Sequence, residues 1–201
     1  CIGCALGKYS DAGEAQTSDV CKDCTKGFYL DQTGMDSEDD CKSCPKGRYG
    51  DGLALEAENN CKECGPGRFG HMNELEANDD CLVCPSGRWN NLSGQTSATQ
   101  TSISSACISC VAGRFGQEEA AERIGLCLEC PKGTYNDVPG ADKGADSCKK
   151  CAAGKYNDVT TSPDSTFCKN CPTGRVGTVP GLTSKDGTQS QNLLPCLPCP
   201  N

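Results

Sequence analysis

Large apolar side chains are sparse along this chain and return at a fixed beat. Aromatics stand at Tyr9, Tyr29, Tyr49, Phe69, Trp89, Phe115, Tyr135 and Tyr156, and Val176 takes the ninth place. Every Tyr and the single Trp fall in this slot. Each slot lies two residues after a Gly, and each Gly lies three after a Cys, so the recurrent pattern is C-x-x-C-x-x-G-x-aromatic, as at Cys41, Cys44, Gly47 and Tyr49. The intervening stretches are polar and rich in turn residues, such as Asp31-Gln32-Thr33-Gly34 and Asn136-Asp137-Val138-Pro139-Gly140. Neither a sustained helical period nor a long alternating run occurs. The pattern predicts very short strands joined by turns. In seven repeats a Lys or Arg precedes the slot (Lys8, Arg48, Arg68, Arg88, Arg114, Lys155, Arg175), and strand alternation sends it to the face opposite the aromatic. Pro45, Pro85, Pro131 and Pro172 follow their Cys directly, and Cys-Pro-x-Gly predicts a type I turn with Pro second and Gly fourth. One helical turn is expected within 53–58 and another within 117–123.

The Cys-x-x-Cys pairs begin at Cys1, Cys21, Cys41, Cys61, Cys81, Cys107, Cys127, Cys148, Cys168 and Cys196, at intervals of 20, 20, 20, 20, 26, 20, 21, 20 and 28 residues. A period near 20 marks a repeat array in which each unit contacts its neighbours. The expected fold is small and disulfide-rich: an elongated tandem array of about 20-residue modules with short β-hairpins and turns, and almost no helix. Module boundaries read 4–21, 24–41, 44–61, 64–81, 84–107, 110–127, 130–148, 151–168 and 171–196, with 1–3 and 197–201 as parts of flanking repeats. Modules five and nine carry insertions, within 90–106 and 177–195, which mark surface loops.

Composition supports a stapled scaffold. Twenty of 201 residues are Cys, while Leu, Ile, Val and Phe together number 28, too few to build a core that offsets chain entropy over this length. Cross-links replace that core by limiting the unfolded state. A net charge of −8 and a pI near 4.7 make nucleic acid a poor partner. No apolar run approaches the length of a membrane span, and no secretory leader is visible.

Three chemistries compete for the cysteines. A bridge inside Cys-x-x-Cys closes a tight ring and is usually a redox device, so for disulfides the better partners are the second Cys of one pair and the first of the next. That gives Cys4–Cys21, Cys24–Cys41, Cys44–Cys61, Cys64–Cys81, Cys84–Cys107, Cys110–Cys127, Cys130–Cys148, Cys151–Cys168 and Cys171–Cys196, and leaves Cys1 and Cys199 for neighbouring repeats of a longer chain. The spacing also fits Cys4 zinc sites. Against zinc, successive segments do not alternate in length to say which pairs share a metal, and a basic nucleic-acid surface is missing. A thioredoxin-like centre needs a βαβ context and usually a single motif. The disulfide reading takes precedence, with no metal or other cofactor, and each module's aromatic is expected to cover its own bridge.

Asn91-Leu92-Ser93 in the first insertion is an N-glycosylation sequon, and the Ser/Thr run that follows could carry O-glycans; a chance tripeptide in a plain loop is the alternative. The only His, His71, stands in a polar loop without a nucleophile–base pattern, so no enzyme is expected. Acidic groups such as Asp39 with Asp40 and Asp79 with Asp80 lack the ligand spacing of a calcium loop.

The pattern Cys-Pro-x-Gly-x-Tyr followed by a polar loop and Cys-x-x-Cys, best at 44–49 and 130–135, resembles the ephrin-receptor-like cysteine-rich repeat and the first small module of tumour-necrosis-factor-receptor repeats. The resemblance spans all nine complete repeats, with Ala5, Thr25, Gly65, Val111 and Ala152 in place of Pro and Val176 in place of the aromatic. It implies the same Cys pairing. The further bridges of tumour-necrosis-factor-receptor modules are absent, so ligand binding of that type does not carry over. Long plain arrays of this repeat look like extracellular and cell-surface proteins of protists and algae. The expected role is an extracellular structural rod or fibre component that self-associates. The alternative is a ligand-binding or adhesive ectodomain stalk whose site lies in the two insertions.

Overall fold

The computed structural model describes residues 3–12, 18–97, 105–185 and 195–199. These residues form nine two-stranded antiparallel hairpins, one per module. The first pairs Lys8–Tyr9 with Lys22–Asp23, and the third pairs Arg48–Tyr49 with Lys62–Glu63. The longest pairs Arg114–Gly116 with Cys127–Glu129. Nine consecutive disulfides staple the modules. Eight join the second Cys of one pair to the first of the next, from Cys4–Cys21 to Cys171–Cys196, with Cα atoms 5.6–5.9 Å apart. Cys84 and Cys107 are also disulfide-bonded. Cys199 is exposed and unbridged, and Cys1 lies outside the described residues.

The turn that opens each hairpin sits one residue later than the Cys-Pro-x-Gly reading expected. The closing hydrogen bond runs from the amide after Gly to the carbonyl of the residue after Cys, as from Arg48 to Pro45 at 3.0 Å. Pro is therefore first in the turn and Gly third. Gly47 has φ +81°, the positive value that a type II turn requires at its third position and only Gly adopts without strain. The helical turns also sit later than expected, at Glu58–Asn60, which meets 53–58 only at its last residue, and at Ile124–Leu126, just past 117–123; there a 3-10 turn delivers the chain to the closing Cys. Acidic residues before the pairs cap such turns: Asp40 and Asp80 carboxylates accept from the backbone amides of Ser37 and Ala77.

The aromatic of each module was expected over its own bridge. In five modules it packs instead on the bridge of the next. Tyr29 lies against Cys44, Cys61 and Leu55; Tyr49 against Cys64, Cys81 and Leu75; Tyr156 against Cys171, Cys196 and Leu182. A hairpin with two residues per strand has no inside, so its one large side chain is buried only where a second module covers it. The covering residue stands eleven positions after the Cys that opens that module, as do Met35, Leu55, Leu75 and Leu182.

The chain forms two compact units, residues 1–84 with 91–106 and residues 85–90 with 107–201. Within each unit the same backbone bonds join successive modules. The amide following the aromatic donates to the carbonyl of the covering residue in the next module. In the first unit these bonds run Ser10 to Met35, Leu30 to Leu55, Gly50 to Leu75 and Gly70 to Gln95, at 2.8–3.1 Å. In the second they run Asn90 to Ala121, Gly116 to Ala141, Asn136 to Ser162 and Asn157 to Leu182, at 2.9–3.0 Å.

Candidate interaction surfaces on the hairpins

The tenth residue after each opening Cys, just before the covering residue, has positive φ in modules two to nine: Gly34, Ala54, Glu74, Gly94, Ala120, Gly140, Thr161 and Gly181. The four non-Gly members are the only positive-φ non-Gly residues among those described. In six of the eight this backbone seats the residue on the turn Gly of the module two before it. A Cβ on Gly27 would lie 2.8 Å from the Glu74 carbonyl oxygen, and one on Gly47 would lie 2.5 Å from that of Gly94. The same seating recurs at Gly87 against Gly140 and Gly133 against Gly181. The seated residue also donates its amide to the carbonyl of the Cys that opens the intervening module, as Glu74 does to Cys44 at 3.2 Å. Within each unit a module is thus locked to its first and second neighbours by backbone, independent of side-chain identity.

Side chains divide the modules into two kinds. The hairpin register sets the aromatic opposite the residue after the closing Cys. In five modules that pair is Tyr and Lys: Tyr9–Lys22, Tyr29–Lys42, Tyr49–Lys62, Tyr135–Lys149 and Tyr156–Lys169. Each Lys also reaches an Asp two residues past its Tyr, with Nζ–oxygen distances of 2.7 Å to Asp11, Asp31 and Asp51, 2.6 Å to Asp137 and 3.1 Å to Asp158. Lys149 and Lys169 stand 5.9 and 6.0 Å from the ring centres of Tyr135 and Tyr156, within cation–π reach. In the other four modules all three positions change together. The pairs become Phe69–Leu82, Trp89–Ile108, Phe115–Leu128 and Val176–Leu197, and the acidic position holds His71, Asn91, Gln117 and Thr178. Ile108 and Leu197 are more than half exposed, at 53% and 54%.

The physical logic is one of matching. Across the hairpin the Lys stem faces the Tyr ring while its ammonium is held by the Asp. Remove the hydroxyl and an aliphatic partner packs the ring better, leaving the Asp without a role. Hydrogen bonding from the Lys side chains, with their charge adding to it, holds the Asp11, Asp31, Asp51, Asp137 and Asp158 carboxyls below the usual carboxylate range. The same bonds raise Lys22, Lys42, Lys62 and Lys149. Burial raises the Tyr29 hydroxyl, with the Glu58 charge adding to it.

The base before the aromatic turns inward on its own module. All five Arg in that slot donate Nη1 to the carbonyl of their module's closing Cys: Arg48, Arg68, Arg88, Arg114 and Arg175, at 2.8–3.1 Å. Cross-strand acids add ion pairs at Arg48–Glu63, Arg114–Glu129 and Lys8–Asp23. In the second unit, buried Asn side chains tie modules together. Asn157 donates to the Thr134 carbonyl and the Ser162 hydroxyl, both at 2.8 Å, and Asn136 donates to the Arg114 carbonyl at 2.8 Å.

Asn91 is exposed, followed by exposed Leu92 and Ser93. The remainders of the two insertions, 98–104 and 186–194, lie outside the described residues. His71 occupies the acidic position of the fourth hairpin, opposite no Lys. No group of three or more potential metal ligands occurs among the described residues, and none of their helices is long and apolar enough to cross a membrane. No family model matches the chain, and no curated protein matches it.

Proposed function

We propose that this chain is an extracellular structural repeat protein, a non-enzymatic rod or fibre component of the ephrin-receptor-like cysteine-rich type. The observation that carries this reading is the junction. One set of backbone bonds, one aromatic over the next bridge and one seated left-handed residue recur from module to module. A junction written in backbone geometry lets modules be added without redesign, which suits a spacer or filament. Nine disulfides suit an oxidising compartment outside the cell. Self-association is part of this reading, as is a glycan on exposed Asn91. Nucleic acid is not among its partners, given a net charge of −8.

Electron microscopy of native material tests it: rods or fibres are expected, and compact, dispersed particles would refute the fibre reading. A second reading, an adhesive or ligand-binding ectodomain stalk, draws support from the exposed aliphatic residues Ile108, Leu128 and Leu197 on the hairpins that lack the Tyr–Lys–Asp set. Binding to a surface partner that is lost in Ile108→Asp with Leu128→Asp would favour it.

A further inference from the structure

Module seven departs from the repeat in two places at once. Its covering residue is Ala141, where Met35, Leu55, Leu75 and Leu182 stand in other modules. Its bridge, Cys130–Cys148, spans 18 positions, one more than Cys24–Cys41 or Cys151–Cys168. The 3-10 turn before that bridge takes four residues, Gly144–Ser147, against three at Glu58–Asn60 and Ile124–Leu126. A shortened side chain and a widened turn leave a recess of about 270 Å³ between them. Its deepest lining is Ala141 and Asn136, both buried, and Val138 stands half-exposed beside them. Asn136 offers no spare polar group there. Its amide nitrogen donates to the Arg114 and Val138 carbonyls, and its oxygen accepts from the Val138 amide.

The charged groups lining the recess are Asp142, Lys143, Asp146 and Lys149. Lys149 is already engaged, 2.6 Å from Asp137 and 5.9 Å from the centre of the Tyr135 ring. Asp142 and Asp146 pair with no cation among the described residues. Two carboxylates against the single ammonium of Lys143 leave the recess negative above an apolar base. Two carboxylates are too few for calcium, which takes six to eight oxygens. They do match the way this fold holds its own lysines, with the stem along apolar surface and the ammonium on an Asp, as Lys149 and Lys169 show. We propose that the recess of module seven binds a primary alkylammonium group, its alkyl part on Val138 and Ala141 and its ammonium at Asp142 and Asp146. The volume falls below the roughly 300–1,000 Å³ of sites that enclose drug-sized ligands, so the group is a small amine or a single lysine side chain.

The full, disulfide-intact chain, isotopically labelled for NMR and titrated with n-butylammonium at low salt, tests this. Saturable shifts are expected at the Val138 methyls, the Ala141 amide and the Asp142 and Asp146 carboxyls, weakening as salt is added. Each fully buried methylene is worth about fourfold in affinity, so methylammonium, shorter by three, should bind about tenfold or more weakly. Ala141→Leu restores the residue of other modules, fills the recess and should abolish the shifts while both carboxylates remain. Asp142→Asn with Asp146→Asn should abolish them with the recess open, and surface changes of this kind leave the fold intact. Concentrating the chain without added amine separates the two sources. The same signals move if the group is a lysine of a second copy, and stay if it is a free amine. Shifts that never saturate, that appear equally at the paired Asp137 and Asp158, or that persist in either variant would overturn the proposal.

Discussion

The seating of one module on the turn two before it makes a sharp prediction for a matched pair of glycine substitutions. Gly27 and Gly154 share nearly the same φ, +80° and +81°. Their local bonds also match: Gly27 donates to Gly50 and accepts from Cys44, and Gly154 donates to Gly177 and accepts from Cys171, at 2.8–2.9 Å. Ala at either site bears the left-handed penalty of about 1–2 kcal/mol. At Gly154 nothing described within 4 Å adds to it. At Gly27 the new methyl falls 2.8 Å from the Glu74 oxygen, 3.0 Å from its carbonyl carbon and 3.3 Å from its Cα. These are backbone atoms of a residue already held by Cys44, so relief requires moving a module. Overpacking costs about 1–3 kcal/mol, and a lost Glu74–Cys44 bond about 1 kcal/mol more. Gly27→Ala should therefore be about 2–4 kcal/mol worse than Gly154→Ala. Repeat arrays need not unfold in one step, so local opening energies from native-state amide exchange are the appropriate assay. The Glu74 amide should lose protection in Gly27→Ala. A Gly27→Ala cost no larger than the left-handed penalty alone, or an unchanged Glu74 amide, would refute the interlock.

Three further predictions address the side chains. In Lys22→Leu the Asp11 carboxyl should return upward to its ordinary range, read by NMR titration; an unmoved value would show that Lys22 does not set it. Because these five Asp are depressed in the folded chain, what they contribute is present above the unfolded carboxylate value near 3.8 and is lost as pH falls through the lower folded values. The raised Lys contribute below their ordinary 10.5 and lose that contribution as pH rises through the folded values, so stability should be flat between these limits. Asn157→Ala strips the Thr134 carbonyl of a buried 2.8 Å bond and should cost about 1–3 kcal/mol in a chemical melt, whereas no measurable change would remove Asn157 as a clamp.

The hairpin array was legible because one Gly, one aromatic and two Cys recur in fixed order, and those residues impose turn, burial and covalent staple in turn. The junction was not legible. A Gly at the tenth position signals a left-handed residue in Gly34, Gly94, Gly140 and Gly181, but Ala54, Glu74, Ala120 and Thr161 adopt that conformation without advertising it. The aromatic's true partner was hidden for a related reason: sequence order suggested its own loop, while burial needs a second module. The Tyr–Lys–Asp set was written in the repeats all along, since Tyr, Lys and Asp appear together in five modules and depart together in four. Only the cross-strand register makes positions so far apart in sequence readable as one group.

The fold and the proposal that the protein works outside the cell both stand on the cysteines being staples. Denaturing the native protein in an alkylating agent without reductant, then weighing it whole, counts its thiols. Nine bridges leave no more than two alkyl groups on a chain of 20 cysteines. Alkylation of most of the cysteines, with zinc released on unfolding, would contradict both the fold's source of stability and the proposed extracellular compartment.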